Sequence, residues 1–140
     1  MRNFYIGQYS TLPELRYSIS ESFLRQNSID ENMLRYAVAT FSLIHSENNV
    51  FRVANSPAQF EINTEPFKIS EQGKYVLKYR FKRIDTSESG KFFGEFKLDI
   101  LHPNHIGRLT FPSTERINVF ITPSITKTNL TTDGIIIKAV

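Results

Sequence analysis

Alternation with a period of two dominates this chain. Between Lys74 and Ile84, Tyr75, Leu77, Tyr79 and Phe81 share one parity, and Lys78, Arg80 and Lys82 share the other. Successive side chains of a strand point to opposite faces, so the segment predicts a strand with a buried aromatic face and a wet cationic face. Asp85-Thr86-Ser87-Glu88-Ser89-Gly90 follows as a polar turn. Beyond it Phe92, Gly94, Phe96, Leu98 and Ile100 alternate with Phe93, Glu95, Lys97 and Asp99. Two alternating runs joined by such a turn predict an antiparallel hairpin with a longer-than-minimal loop.

Shorter runs continue the pattern. Leu15–Ile19, Val50–Val53, Gln59–Ile62, Arg108–Phe111 and Ile117–Ile121 are predicted strands, the last with Ile117, Val119 and Ile121 on one side. Asn48-Asn49, Ser56-Pro57, Gln72-Gly73, Pro103-Asn104, Gly107 and Pro112 punctuate them as turn signals. Asp30-Glu31-Asn32 has the character of a helix N-cap and first turn, but Thr40-Phe41-Ser42-Leu43-Ile44 favours extended chain. A strand over Leu34–Ile44 is therefore expected. Many short strands at regular spacing predict an all-β fold, a sandwich or small barrel.

The last stretch differs. Between Thr122 and Gly134 five of thirteen residues are Thr, and Ile135-Ile136-Ile137-Lys138-Ala139-Val140 follows. Exposed isoleucines at a chain end invite aggregation unless they are paired. The segment is thus expected to complete the sheet or to reach a neighbouring chain as an added strand. This gives a β-sandwich domain over residues 1–121 and a Thr-rich arm or final strand over 122–140.

Composition narrows the class. A length of 140 residues suits one core. Hydrophobic residues at 40% and charged residues at 22% match globular usage and exclude a disordered chain. No apolar run is long enough for a membrane helix, and Met1-Arg2-Asn3-Phe4-Tyr5 does not open a signal peptide. The absence of cysteine excludes disulfides, zinc–thiolate sites and cysteine nucleophiles. Twelve Phe and six Tyr without Trp supply large bodies suited to sheet cores.

Candidate chemistry is sparse. His102-Pro103-Asn104-His105 lacks the spacing that aims two imidazoles at one ion, and reads better as a polar hairpin loop. There is no Gly-x-Ser-x-Gly elbow and no Gly-rich phosphate loop. Glu61 with Glu65, and Glu95 with Asp99, read as solvent-facing strand positions. Asn129-Leu130-Thr131 is a sequon of the kind that arises by chance. No catalytic residue, metal or cofactor is expected. The best polar feature is the stripe Lys78, Arg80 and Lys82: from Lys74 to Lys97 seven bases face three acids, a local +4 within a net +3 chain. Interleaved aromatics and bases suit single-strand nucleic-acid platforms, but here alternation puts them on opposite faces. A solvated strand face that discourages edge pairing is the first expectation, an acidic protein partner the second, and nucleic acid ranks last.

An ordered series carries a family resemblance. It runs Tyr79-Arg80-Phe81-Lys82-Arg83-Ile84-Asp85-Thr86, then Gly90-Lys91-Phe92-Phe93-Gly94-Glu95-Phe96-Lys97-Leu98-Asp99-Ile100. Gly107-Arg108-Leu109-Thr110-Phe111-Pro112 and Ile117-Asn118-Val119-Phe120-Ile121 complete it. The series resembles the immunoglobulin-like domains of tailed-bacteriophage virion proteins and is similar to the N-terminal domain of phage upper baseplate proteins. Ala39–Ile44 and Ala54–Ala58 fall in order for earlier strands, so the resemblance spans roughly residues 34–121.

The resemblance implies an antiparallel immunoglobulin-like β-sandwich and a non-enzymatic role. The chain would dock onto neighbouring subunits as an adaptor or decoration component of the baseplate, tail, neck or capsid. Its partners would be other virion proteins, in several copies on a symmetric particle, with no small-molecule substrate and no membrane. Its location would be the virion, assembled in the host cytoplasm. Lys78, Arg80 and Lys82, together with Ile135, Ile136 and Ile137, are the expected partner contacts. A carbohydrate- or surface-ligand-binding sandwich is the alternative.

Overall fold

The computed structural model describes residues 2–103, 105–112 and 116–124. Its strands are β1 (Arg2–Gly7), β2 (Leu15–Ile19), β3 (Ala37–His45), β4 (Phe51–Ile62), β5 (Tyr75–Tyr79), β6 (Gly90–His102), β7 (His105–Phe111) and β8 (Ile117–Thr122). Three short helices connect them: α1 (Glu21–Gln26), α2 (Glu31–Leu34) and α3 (Pro66–Gln72). The expectation of a sheet-rich scaffold holds. All eight strands join in the order β1-β8-β6-β3-β4-β5-β2, with β7 on the remaining length of β6.

Two long strands bend this sheet into a near-barrel. The first half of β4 pairs with β3, and its second half pairs with β5. Likewise β6 gives its start to β8, its end to β7, and its other edge to β3. The ends of the sheet come close: the Arg2 guanidinium of β1 lies 4.7 Å from the ring centroid of Tyr17 on β2. Tyr17 also faces Phe111 of β7 at 5.9 Å, so β2 folds over the interior of the opposite strands.

Phe41 is the hub of the core. Its ring stacks on Tyr79 at 4.4 Å and meets Phe96 at 4.9 Å and Phe81 edge-on at 5.7 Å. Phe92, Phe96, Leu98 and Ile100 fill the interior from β6, as its alternation predicts. Gly94 belongs to the same row because a Cβ there would come within 3.1 Å of the Phe41 ring. Of the helices, α1 and α2 each bury a leucine, whereas α3 buries none. Ser20 and Asp30 cap α1 and α2 by accepting from the N–H groups of Phe23 and Met33, while Leu24 and Leu34 point into the core.

The structure corrects several expectations. The runs on either side of the 85–90 turn are not hairpin partners: β5 pairs with β2 and β4, whereas β6 pairs with β3, β7 and β8. Nor does the first run extend to Ile84. Its strand stops at Tyr79, and Phe81 tucks back from a loop as a buried plug against Phe4 and Phe41. Leu34 ends a helix, and the following strand starts at Ala37. Ser56-Pro57 and Gly107 lie inside β4 and β7 rather than in turns. Pro57 stays in register opposite Thr40 of β3, and β5 pairs with β4 only from Gln59, so no strand of the described residues lies on the other edge at Pro57. β1, α1 and α3 are additions, and β1 runs parallel to β8, so the sheet is not antiparallel throughout.

Candidate interaction surfaces

The predicted cationic stripe is not one uniform face. Lys78 donates to Glu61 at 2.7 Å across the β4–β5 ladder, and its side chain is only 12% exposed. Its charge is therefore compensated. Arg80 lies exposed just past the strand and lines a shallow groove with Glu14, Pro57, Gln59 and Lys78. Lys82 sits in the following loop, with Nζ 3.4 Å from the Ser56 hydroxyl. The three residues follow the Ser56–Gln59 stretch of β4, but only Arg80 and Lys82 offer open charge. Ile135, Ile136 and Ile137 lie outside the described residues.

The loop that carries Lys82 is fixed by a buried pair. Tyr79 donates its hydroxyl to Asp85 at 2.6 Å, and the same carboxylate oxygen accepts from the Lys82 N–H at 2.9 Å. Burial, and then the hydrogen bond to Asp85, push the Tyr79 phenol up to about 12. Thr86, fully buried, donates to the Ser10 carbonyl at 2.9 Å. The Asp85-Thr86 pair of the resembling series thus acts as a turn lock beneath Phe81.

A second surface was not anticipated from the sequence. Val38 of β3 lies opposite Asp99 of β6, and Leu101 of β6 lies opposite Ile106 of β7. All point away from the core, and Tyr36 precedes them. Tyr36, Val38, Leu101 and Ile106 are each more than half exposed, Ile106 at 82%. His102 meets the Tyr36 ring edge-on at 5.7 Å. Asp99 accepts from Arg108 at 2.6 and 3.1 Å on the flank, and this hydrogen bonding holds its carboxyl below the usual range. Among the described residues β7 has no strand partner besides β6, so none of them pairs with its outer edge. The only sequence signal was parity: Leu101 and Ile106 break the polar side of otherwise alternating strands.

His102 lies 3.4 Å from the Asn32 side-chain amide. Among the described residues no three His, Asp or Glu side chains gather as a metal site. No helix among them is long and apolar enough to cross a membrane. No protein-family model, curated protein or solved structure matches the chain.

Proposed function

We propose that this chain is a non-enzymatic structural component of a bacteriophage virion, docking onto neighbouring subunits as an adaptor or decoration protein. The sequence resemblance to immunoglobulin-like virion domains motivates this reading. We read the curled sheet as a variant of that sandwich, with β4-β5-β2 as one layer and β1-β8-β6-β3 plus β7 as the other. One observation carries the docking role: the outward apolar cluster of Tyr36, Val38, Leu101 and Ile106, beside the outer edge of β7, with which none of the described residues pairs. A contiguous exposed apolar patch rimmed by charge is characteristic of a protein contact surface. An open strand edge adds backbone donors and acceptors to which a neighbour can pair. Repetition on a symmetric particle multiplies such contacts through effective concentration. Arg80 and Lys82 would meet acidic partner surface, and the Ile135-Ile136-Ile137 arm would clasp an adjacent subunit.

Co-sedimentation of the chain with particles from an infected-cell lysate tests the proposal. Leu101→Lys/Ile106→Lys, at exposed positions, is expected to melt like the parent chain. It should lose particle association by at least about tenfold, as when a central apolar contact is removed. Equal association of the folded variant overturns the role of this patch. Deleting residues 126–140 is expected to leave a folded domain that no longer associates, and normal association would overturn the arm.

A further inference from the structure

At the opposite end of the same outward face the fold assembles a ribbon of aromatic rings and cations from strands distant in sequence. Tyr5 of β1 lies opposite Phe120 of β8, and Phe120 lies opposite Lys91 of β6. The Tyr5 and Phe120 rings stack at 5.0 Å with planes 15° apart. Phe93, the next outward residue of β6, carries the Arg116 guanidinium 4.3 Å from its ring centroid and Lys91 Nζ at 5.5 Å. Lys91 Nζ also lies 5.9 Å from the Phe120 ring centroid. Tyr5 is 59% exposed, and Phe93 and Phe120 are half-buried.

Among the described residues no carboxylate pairs with Lys91 or Arg116. Opposite Phe93, the buried Asn118 amide donates to Oδ1 of exposed Asn3 at 3.0 Å, which ties β1 to β8 beneath the ribbon. Glu95 is the next outward residue of β6 after Phe93 and bounds the ribbon on that side.

We infer that this ribbon binds single-stranded nucleic acid through ring stacking and phosphate contacts. The combination selects the ligand class. An acidic polypeptide needs the cations but not the rings, and a neutral sugar needs the rings but not the cations. A single strand offers planar bases to the ring faces left free and a phosphate to each cation, the pattern of sequence-tolerant single-strand binders. Tyr5 and Phe120 each give one face to the other and Arg116 covers one face of Phe93, so the ring faces left free, that of exposed Tyr5 first, take one or two bases. The ribbon is separate from the apolar docking patch, since Lys91 and Leu101 lie about 33 Å apart along β6 at strand rise. The inference therefore stands or falls apart from the virion reading.

Fluorescence anisotropy of a labelled oligothymidylate of about 12 nucleotides, titrated with the full chain, tests it. The expected result is saturable binding that weakens between about 50 and 200 mM salt. Tyr5→Ala should weaken it about 5- to 100-fold, while Tyr5→Phe retains the ring and the affinity. Lys91→Glu/Arg116→Glu should weaken it and flatten the log–log salt dependence by about 1.4, at about 0.7 per phosphate contact on a single strand. Arg25→Glu, an exposed charge reversal on α1, should leave binding unchanged. Thermal melts establish that each variant is folded. Absence of binding by the parent chain at low salt overturns the inference. So does competition by polyglutamate as strong as by unlabelled oligonucleotide, with no effect of Tyr5→Ala, which would assign the face to an acidic protein.

Discussion

Tyr79 shows how one hydroxyl ties a loop to the core. With its phenol raised to about 12, the folded chain keeps the proton over a range in which the unfolded chain, near 10, has lost it. The contribution is complete below about pH 10 and is lost as pH rises through the folded value. Urea midpoints measured from about pH 9 to 12 should therefore fall more steeply for the parent than for Tyr79→Phe. Near neutrality Tyr79→Phe should cost about 1–2 kcal/mol, because the Asp85 carboxylate loses one of its donors in a buried site. Gly94 is constrained from another direction. Its missing Cβ makes room for the Phe41 ring, and Phe41 is boxed in by Tyr79, Phe81 and Phe96. Gly94→Ala should thus lower the urea midpoint, by about 1–3 kcal/mol in stability, as overpacking does. A neutral Gly94→Ala would mean that this ring can shift.

At the scale of elements, the informative case is β4. Read alone it breaks at Ser56-Pro57, yet the chain continues as a single strand that serves both halves of the sheet. The continuity depends on a bulge. Phe41 faces Ser56 and Leu43 faces Val53, so β4 carries one more residue than β3 over this interval. Asn55 takes it up at φ +50°, where its N–H donates to the buried Ser42 hydroxyl at 2.9 Å. Asn visits the left-handed region readily and a β-branched residue does not. Asn55→Val should therefore destabilise by about 1–3 kcal/mol, while Asn55→Gly should stay within about 1 kcal/mol of the parent in urea denaturation. Strand interiors were legible wherever one face is wet: β6 buries the residues its alternation selects. The pairing of β5 was not legible. A turn of polar residues between two strands is compatible with a hairpin and with a crossover, and local sequence does not distinguish them. Phe81 shows the same limit, since parity alone cannot tell a strand residue from a plug reached by a loop.

For the whole molecule, closure is decided by contacts between distant segments. β1, absent from the sequence reading, covers the edge of β8 in parallel register from Arg2–Ile117 to Gly7–Thr122. Its Ile6 enters the core, and Phe4 stacks on Phe81 at 5.7 Å. Its outward Tyr5 completes the aromatic ribbon with Phe120. None of these partners lies within 70 residues of β1, so no local periodicity could have announced the strand. The apolar patch arises similarly, from Val38, Leu101 and Ile106 brought side by side by the β3–β6 and β6–β7 ladders.

The amino-acid sequence by itself determined the material: an aromatic-rich, cysteine-free, mostly β chain with β6 and β8 oriented correctly towards a core. It did so because a period of two is a local property of the pleated backbone and survives any arrangement of strands. The tertiary structure decided which strands pair, where the sheet curls and which exposed residues become neighbours. Lys74, Lys78, Arg80 and Lys82 fall on the opposite parity from the aromatics beside them. The fold instead set Lys91 and Arg116 among Tyr5, Phe93 and Phe120, because strand pairing fixes proximity across the sheet without regard to separation along the chain.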